Sequence, residues 1–262
     1  MLNMEYLLEE AKSNALPIIK KRAIIREYLQ IIMLNSIYHH ALGKHLFFMG
    51  GTAMRYFYKL PRFSEDLDFN TSRVTYGQFK DIVEMVLADV SKEGFLVKVI
   101  YQKRKTLLRA DIIFDDVVEK YNISDGRGMN LMVKIEVNNP SWELLAESAV
   151  LSMYGYNFTA LLMSKGDLLA EKTCALLNRK RGRDIYDLLF MLQRKFPFNE
   201  KTLKANNVRL PVKDAILAYF KKMEKSELKR LTNQVKPFLF KPEDAELIIN
   251  APLYAETFLR DY

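Results

Sequence analysis

A short apolar run, HLFFM, ends at Gly50-Gly51 and is followed at once by TAMRYFYKL, whose apolar residues have helical spacing. This reads as a buried strand feeding a glycine turn and then a helix. Pro61 stops the helix. The next segment, SEDLDFN, alternates acidic and apolar residues and fits a strand with two carboxylates on one face. Thr75 is placed as N-cap of an amphipathic helix over TYGQFKDIVEMVLADVSKEG, with Gly94 as its stop. FLVKVIYQ, LLRADIIF and NLMVKIEVN then read as three more strands.

Before the glycine turn, residues 5–42 have helical periodicity, with Pro17 opening a second helix or kinking the first. After the strands, Ser164 and Asp167 form a capping box for DLLAEKTCALLNR, and RDIYDLLFMLQR begins another helix. From 197 onward the pattern is helical throughout. The expectation is an α+β fold, a mixed sheet flanked by helices with a mostly helical C-terminal half. Its two domains would span 1–150, with the N-terminal helices, and 151–262.

Composition narrows the functions. At 49% hydrophobic and 27% charged residues, a core of ordinary size is available. The single cysteine, Cys174, rules out an intramolecular disulfide and a cysteine-built metal site. No apolar stretch is long enough for a membrane span, and the acidic, amphipathic start is unlike a secretory signal, so a cytoplasmic setting is expected. The net charge of +8 suits a polyanionic partner or simple solubility. The basic residues concentrate in KVIYQKRKTLLR and NRKRGRD.

Several residues are candidates for chemistry, each beside a plainer reading. Gly50, Gly51 and Thr52 precede a helix whose unpaired N–H groups suit phosphate, or they form an ordinary tight turn. Asp66 and Asp68, two apart on a strand, share one face and repel unless a cation sits between them, or they are solvated edge acids. Oxygen-only ligation of that kind suits Mg²⁺. Glu136, opposite Val133, Ile135 and Val137, would add a third carboxylate or a base, with Asp111 as rival. Lys172 is left free by the stripe Leu168, Leu169, Cys174 and Leu176 to meet a triphosphate, or is a solvated helix lysine. Asp184 is an N-cap or first-turn acid, or it, or Asp187 one turn later, orients Lys172 or contacts nucleotide.

The run Phe48-Met49-Gly50-Gly51-Thr52-Ala53-Met54-Arg55, followed by Arg62-Phe63-Ser64-Glu65-Asp66-Leu67-Asp68-Phe69, resembles the AbiEii/AbiGii toxin family of the nucleotidyltransferase superfamily. Ala170-Glu171-Lys172 through Arg183-Asp184-Ile185-Tyr186-Asp187-Leu188 and the strand Lys134-Ile135-Glu136-Val137 resemble its other signatures. The likeness covers roughly 45–195. Met54 stands where the family more often has leucine, and Glu136 where relatives often have aspartate.

The resemblance implies a Mg²⁺-dependent nucleotidyltransferase toxin. Asp66 and Asp68 would ligate two Mg²⁺ ions, Gly50, Gly51, Thr52 and Arg62 (with Arg55) would contact NTP phosphates, Lys172 would bind the triphosphate, and Asp184 would complete the site. It implies transfer of NMP to an RNA acceptor, foremost the tRNA 3′ end, and a cognate antitoxin protein. Lys103-Arg104-Lys105 and Arg179-Lys180-Arg181 are candidates for RNA contact. The alternatives are a metal-dependent nuclease, nucleotidyl or phosphoryl transfer to a protein, and a catalytically silent binding module.

Overall fold

The structure is a computed structural model describing residues 1–123, 128, 130–260 and 262. The chain divides into two compact units, one of residues 1–59, 63–140 and 146–162, the other of 60–62, 141–145 and 163–262.

The first unit is built on a seven-stranded mixed sheet: β1 Phe47–Met49, β2 Leu67–Asn70, β3 Val97–Arg104, β4 Leu107–Phe114, β5 Leu131–Asn138, β6 Ala146–Met153 and β7 Tyr156–Met163. Their spatial order is β3-β4-β5-β2-β1-β7-β6. β2 runs parallel to β5 and antiparallel to β1, which in turn runs parallel to β7. Alternation decides the faces. Leu131, Val133, Ile135 and Val137 on β5, with Leu108, Ala110, Ile112 and Phe114 on β4, form one buried face. The opposite face carries Lys134, Glu136, Arg109 and Asp111, the face expected for Glu136.

Helices α1 Met4–Ser13, α2 Lys21–His39, α3 Gly50–Tyr58, α4 Tyr76–Lys92 and the single turn α5 Val117–Lys120 complete this unit. The capping box at Thr75 forms with Gln78, and Gly94 closes α4 at φ +89°. The N-terminal helix is not continuous over 5–42. It breaks between Ser13 and Lys21, where Ala15 turns left-handed, and Pro17 lies inside the break rather than at a helix start. α2 is buried on nearly every side, through Ile24, Ile25, Leu29, Ile32 and Met33 among others.

β6 begins in the part expected to be α+β and runs past 150 into the half expected to be mostly helical, where β7 follows. The reason is physical: β6 ends the sheet and is mostly exposed, so it lacks the apolar alternation that marks a strand. Positive φ at Tyr154 and Gly155 makes the turn between the two strands.

The second unit is helical: α6 Lys165–Asn178, α7 Gly182–Gln193, α8 Glu200–Ala205, α9 Val212–Lys221, α10 Lys225–Val235, α11 Glu246–Ile249 and α12 Ala251–Leu259. α7 is its centre, burying Ile185, Leu188, Leu189, Met191 and Leu192. At Gly182 a Cβ would lie 2.2 Å from the Leu231 carbonyl oxygen, so glycine admits the close approach of α10. Pro61 and Arg62 join this unit through backbone pairing with Leu239 and Phe240. Among the described residues no helix is long and apolar enough to cross a membrane.

Candidate active site

The strand register of the first unit sets one row of side chains across the sheet. Met49 pairs with Asp68, Asp68 with Glu136, Glu136 with Arg109, and Arg109 with Gln102. Residues paired this way on adjacent strands project to the same face. Asp68 therefore sits between the start of α3 on one side and Glu136 on the other.

Gly50 is required twice over. Its φ of +76° is left-handed, and a Cβ there would stand 2.3 Å from Asp68 Oδ2. The Asp68 carboxylate thus lies directly against the backbone that opens α3. Met49, the residue before the helix, offers no side-chain cap to the first N–H groups. Those donors and the positive helix end are the elements of an anion site beside a carboxylate. Thr52 is fully buried and donates its hydroxyl to the Asp66 carbonyl oxygen at 2.5 Å. Its side chain ties α3 to the entry of β2, which leaves only its backbone N–H for a phosphate.

Asp66 and Asp68 are half-exposed and flank the buried Leu67. Asp66 lies 3.7 Å from Lys134 Nζ. Glu136 lies 3.6 Å from Arg109 NH1, just beyond hydrogen-bond reach. The same guanidinium is held through Nε and NH2 by both oxygens of Asp111, at 2.6 and 2.8 Å. That bidentate bond, ahead of the opposing cost of partial burial, holds the Arg109 charge even more firmly than usual. Asp111, the rival for the third carboxylate, is thus committed to Arg109, and Glu136 is the better placed of the two.

Among the described residues no group of three or more His, Cys, Asp or Glu side chains could hold a metal ion by itself. Two part-exposed carboxylates beside a glycine cradle nevertheless fit Mg²⁺, which keeps several waters and completes its shell with substrate phosphates.

Within the second unit, Lys172 and Asp184 come together, but not as a free lysine beside a cap. Lys172 Nζ lies 2.8 Å from Asp187 and 3.3 Å from Asp184, and its side chain is only 12% exposed. Asp184 is a first-turn acid of α7, not its N-cap, and also accepts from Arg179 Nε at 2.9 Å. Asp187 is fully buried and takes both Nε and NH2 of Arg62 at 2.7 Å. Burial works to raise the Asp187 carboxyl, but the charges of Arg62 and Lys172 outweigh it and hold it down at about 2. Arg62 is thereby placed as Asp187's buried partner rather than as a presented phosphate contact. Arg55 is likewise buried against Glu27, at 2.8 Å. There burial prevails over the arginine and keeps the Glu27 carboxyl above its usual range.

Lys103, Arg104 and Lys105 are exposed at the β3–β4 hairpin, with Lys103 over the Tyr76 ring. Arg179, Lys180 and Arg181 are exposed as well, although Arg179 is drawn to Asp184 and Lys180 to Glu227. Sequence reasoning passed over Arg109 and Lys134. Each lies two residues before an acid already singled out, Asp111 and Glu136, so strand alternation was the signal that could have found them.

Residues 32–256 match the family model described as nucleotidyl transferase AbiEii toxin, type IV TA system. None of the curated proteins matches the sequence. Among solved structures the chain is similar to JHP933 from Helicobacter pylori, at 16% identity and a TM-score of 0.57, over 91% of this chain and 92% of that one. It is similar also to MenT4, a nucleotidyltransferase toxin from Mycobacterium tuberculosis H37Rv, at 16% identity and a TM-score of 0.56, over 100% of this chain and 92% of that one. At such identity these two likenesses concern the fold.

Proposed function

The chain belongs to the AbiEii nucleotidyl transferase toxin family of type IV toxin–antitoxin systems, and we propose that it moves an NMP from an NTP to the 3′ end of an RNA, foremost tRNA, with Mg²⁺. The family brings with it an NTP substrate, a divalent metal and a cognate antitoxin. Growth inhibition through blocked translation and a cytoplasmic setting are part of the proposal.

The observation that carries it is the Asp68 carboxylate packed on Gly50 at the start of α3 and in register with Glu136. Gly50 and Gly51 let the triphosphate approach backbone donors, and Thr52 holds the turn against β2. Asp66 and Asp68 would hold two Mg²⁺ ions, whose chemistry is to neutralise the phosphates and ease departure of pyrophosphate. Glu136 receives the proton of the acceptor hydroxyl. The acceptor oxygen bonds to the α-phosphorus as the bond to the β-phosphate oxygen breaks, and pyrophosphate leaves with the bonding pair. Positioning and charge supply most of the rate.

Lys172 and Asp184 stay in the proposal as second-unit residues on which NTP binding depends. Lys172→Gln with weaker NTP binding and an intact fold supports that role, and unchanged binding removes both. Arg62 is left out, since Asp187 takes both of its inner donors.

The deciding experiment incubates the protein with Mg²⁺, total tRNA and each α-³²P-labelled NTP in turn, with Asp66→Ala beside it. Label on tRNA with wild type alone is the expected result. Label on added protein would redirect the reading to protein modification. Cleaved RNA without label would make the chain a nuclease.

A further inference from the structure

The proposed transfer has two sides, and the sheet register assigns them. In-line displacement requires the attacking oxygen and the departing pyrophosphate to lie on opposite sides of the α-phosphorus. On the β1 side of Asp68 stand Gly50, Gly51 and the start of α3, the natural seat of the triphosphate. On the other side, in the same row, stand Glu136, Arg109 and Gln102, ending at the edge strand β3. Resting on the nucleotidyl-transfer reading, we infer that the single-stranded 3′ end of the RNA acceptor lies across the β5-β4-β3 face, with Arg109 as its nearest phosphate-binding residue.

Arg109 has the geometry for that role. Asp111 grips Nε and NH2 and so fixes the plane of the guanidinium, while NH1 points at Glu136 from 3.6 Å, outside hydrogen-bond distance. A cation oriented by two short bonds, about a quarter exposed, and with a donor directed along the catalytic row is preorganised for an anion. Three strand spacings of about 4.8 Å, roughly 14 Å in all, separate Asp68 from Gln102. That is room for a few nucleotides and no more. Beyond Gln102 the hairpin adds Arg104 on the same face and Lys105 at the tip, both exposed, while Lys103 alternates to the other face and stands over Tyr76. Cations spaced outward from the reacting atoms, with the amides of Gln102 and Asn138 among them, complement a polyanionic strand better than they do a protein surface.

The test compares wild type, the hairpin variant Arg104→Gln/Lys105→Gln, and the pair variant Arg109→Gln/Asp111→Asn, which removes both charges together. KM is measured for total tRNA and for the best NTP, with the tRNA value followed across NaCl concentrations. Both variants are expected to raise the tRNA KM by about tenfold and leave the NTP KM within about twofold. Two lost phosphate contacts should make the salt slope of the hairpin variant shallower by about one. An NTP KM that rises instead would reverse the two sides and overturn the inference. So would an unchanged tRNA KM, or transfer to added protein in preference to RNA. Should the pair variant fail to fold, the hairpin variant, altered only at exposed positions, decides alone. If wild type transfers nothing to any acceptor, the proposed function falls as well. If it transfers normally and the tRNA KM does not move, only the acceptor track is lost.

Discussion

Two clusters of charged side chains, the acid row on the sheet of the first unit and the network around Asp187 in the second, are built to opposite specifications. In the second unit, Arg62, Asp187, Lys172 and Asp184 are nearly sealed from solvent and meet at 2.7–3.3 Å. In the first unit, Asp66 and Glu136 are about a third exposed, and their cationic neighbours stand off at 3.6–3.7 Å. Beside that row, the tight bond of Arg109 to Asp111 orients a cation toward Glu136. Buried charges left unpaired are costly, so folding by itself already requires the closed network to pair as it does. Part-exposed acids set in one row by register beside a glycine have no such explanation, and they are the groups a ligand can reach.

The largest effect should come from the open row. Asp68→Asn is expected to lower transfer by on the order of a thousandfold or more, the scale on which preorganised charge acts. Stability should barely change, within about 0.5 kcal/mol, because the group is part-exposed and its neighbour Asp66 is a like charge. Near-normal activity in a ³²P-transfer assay would dissolve the contrast. The closed network should behave in reverse. Arg62→Ala leaves Asp187 buried beside one cation fewer and should cost about 3–5 kcal/mol, roughly 10 °C in Tm. Arg62→Met with Asp187→Leu removes both charges and should restore most of that in a thermal melt. A cost below about 1 kcal/mol for Arg62→Ala would mean the network is not structural.

Gly50→Ala sits between these extremes. The left-handed φ costs about 1–2 kcal/mol, and the new Cβ displaces the Asp68 carboxylate, so transfer should fall by roughly a hundredfold. Equal activity with an unshifted melt would mean the cradle is incidental. A comparable stability effect follows from pH. The Asp187 carboxyl sits at about 2 in the folded chain, below its unfolded value of about 3.9. Its stabilisation is therefore full above pH 4 and is lost as pH falls toward 2, about 2 kcal/mol in total. Denaturant titrations of wild type and Asp187→Asn should converge over that window. Curves that stay parallel would place the Asp187 titration elsewhere.

The open row was largely legible in the sequence and the closed one was not, for reasons of range. Asp66, Asp68 and Gly50 are positioned by local rules, strand alternation and a glycine turn, which act within a few residues. Glu136 needed only alternation to find its face, although its pairing with Asp68 came from the parallel register of β2 and β5. The partnership of Arg62 with Asp187 spans 125 residues, and no local pattern marks it. Arg62 was therefore read as a phosphate contact, whereas the hold of Asp184 and Asp187 on Lys172 was among the readings that helical spacing offered. The same limit hid the β6–β7 hairpin, whose edge strand lies mostly in solvent. The mixed sheet and the helical second half were legible because each rests on repeated local periodicity.

The smallest expected effect is also the finest test of the open row. Lys134 lies 3.7 Å from Asp66, and both side chains are about a quarter to a third exposed. Pairs of this kind contribute about 0–1 kcal/mol, so Lys134→Met should leave the melt almost unmoved. Its effect should fall on cation binding. If Asp66 is a ligand, Lys134 competes with the divalent ion for the same oxygen, and its removal should lower the Mg²⁺ concentration for half-maximal transfer by about two- to threefold. Lys134 is also the register partner of Asp111, so a gain could arise from a shift of Arg109. Measuring Mg²⁺ binding by calorimetry, with Lys134→Met in the wild-type and the transfer-dead Asp66→Ala backgrounds, separates the two, because competition for Asp66 cannot survive its removal. A Mg²⁺ requirement that is unchanged, or that rises, would make Lys134 a helper of the site and Asp66 something other than a cation ligand.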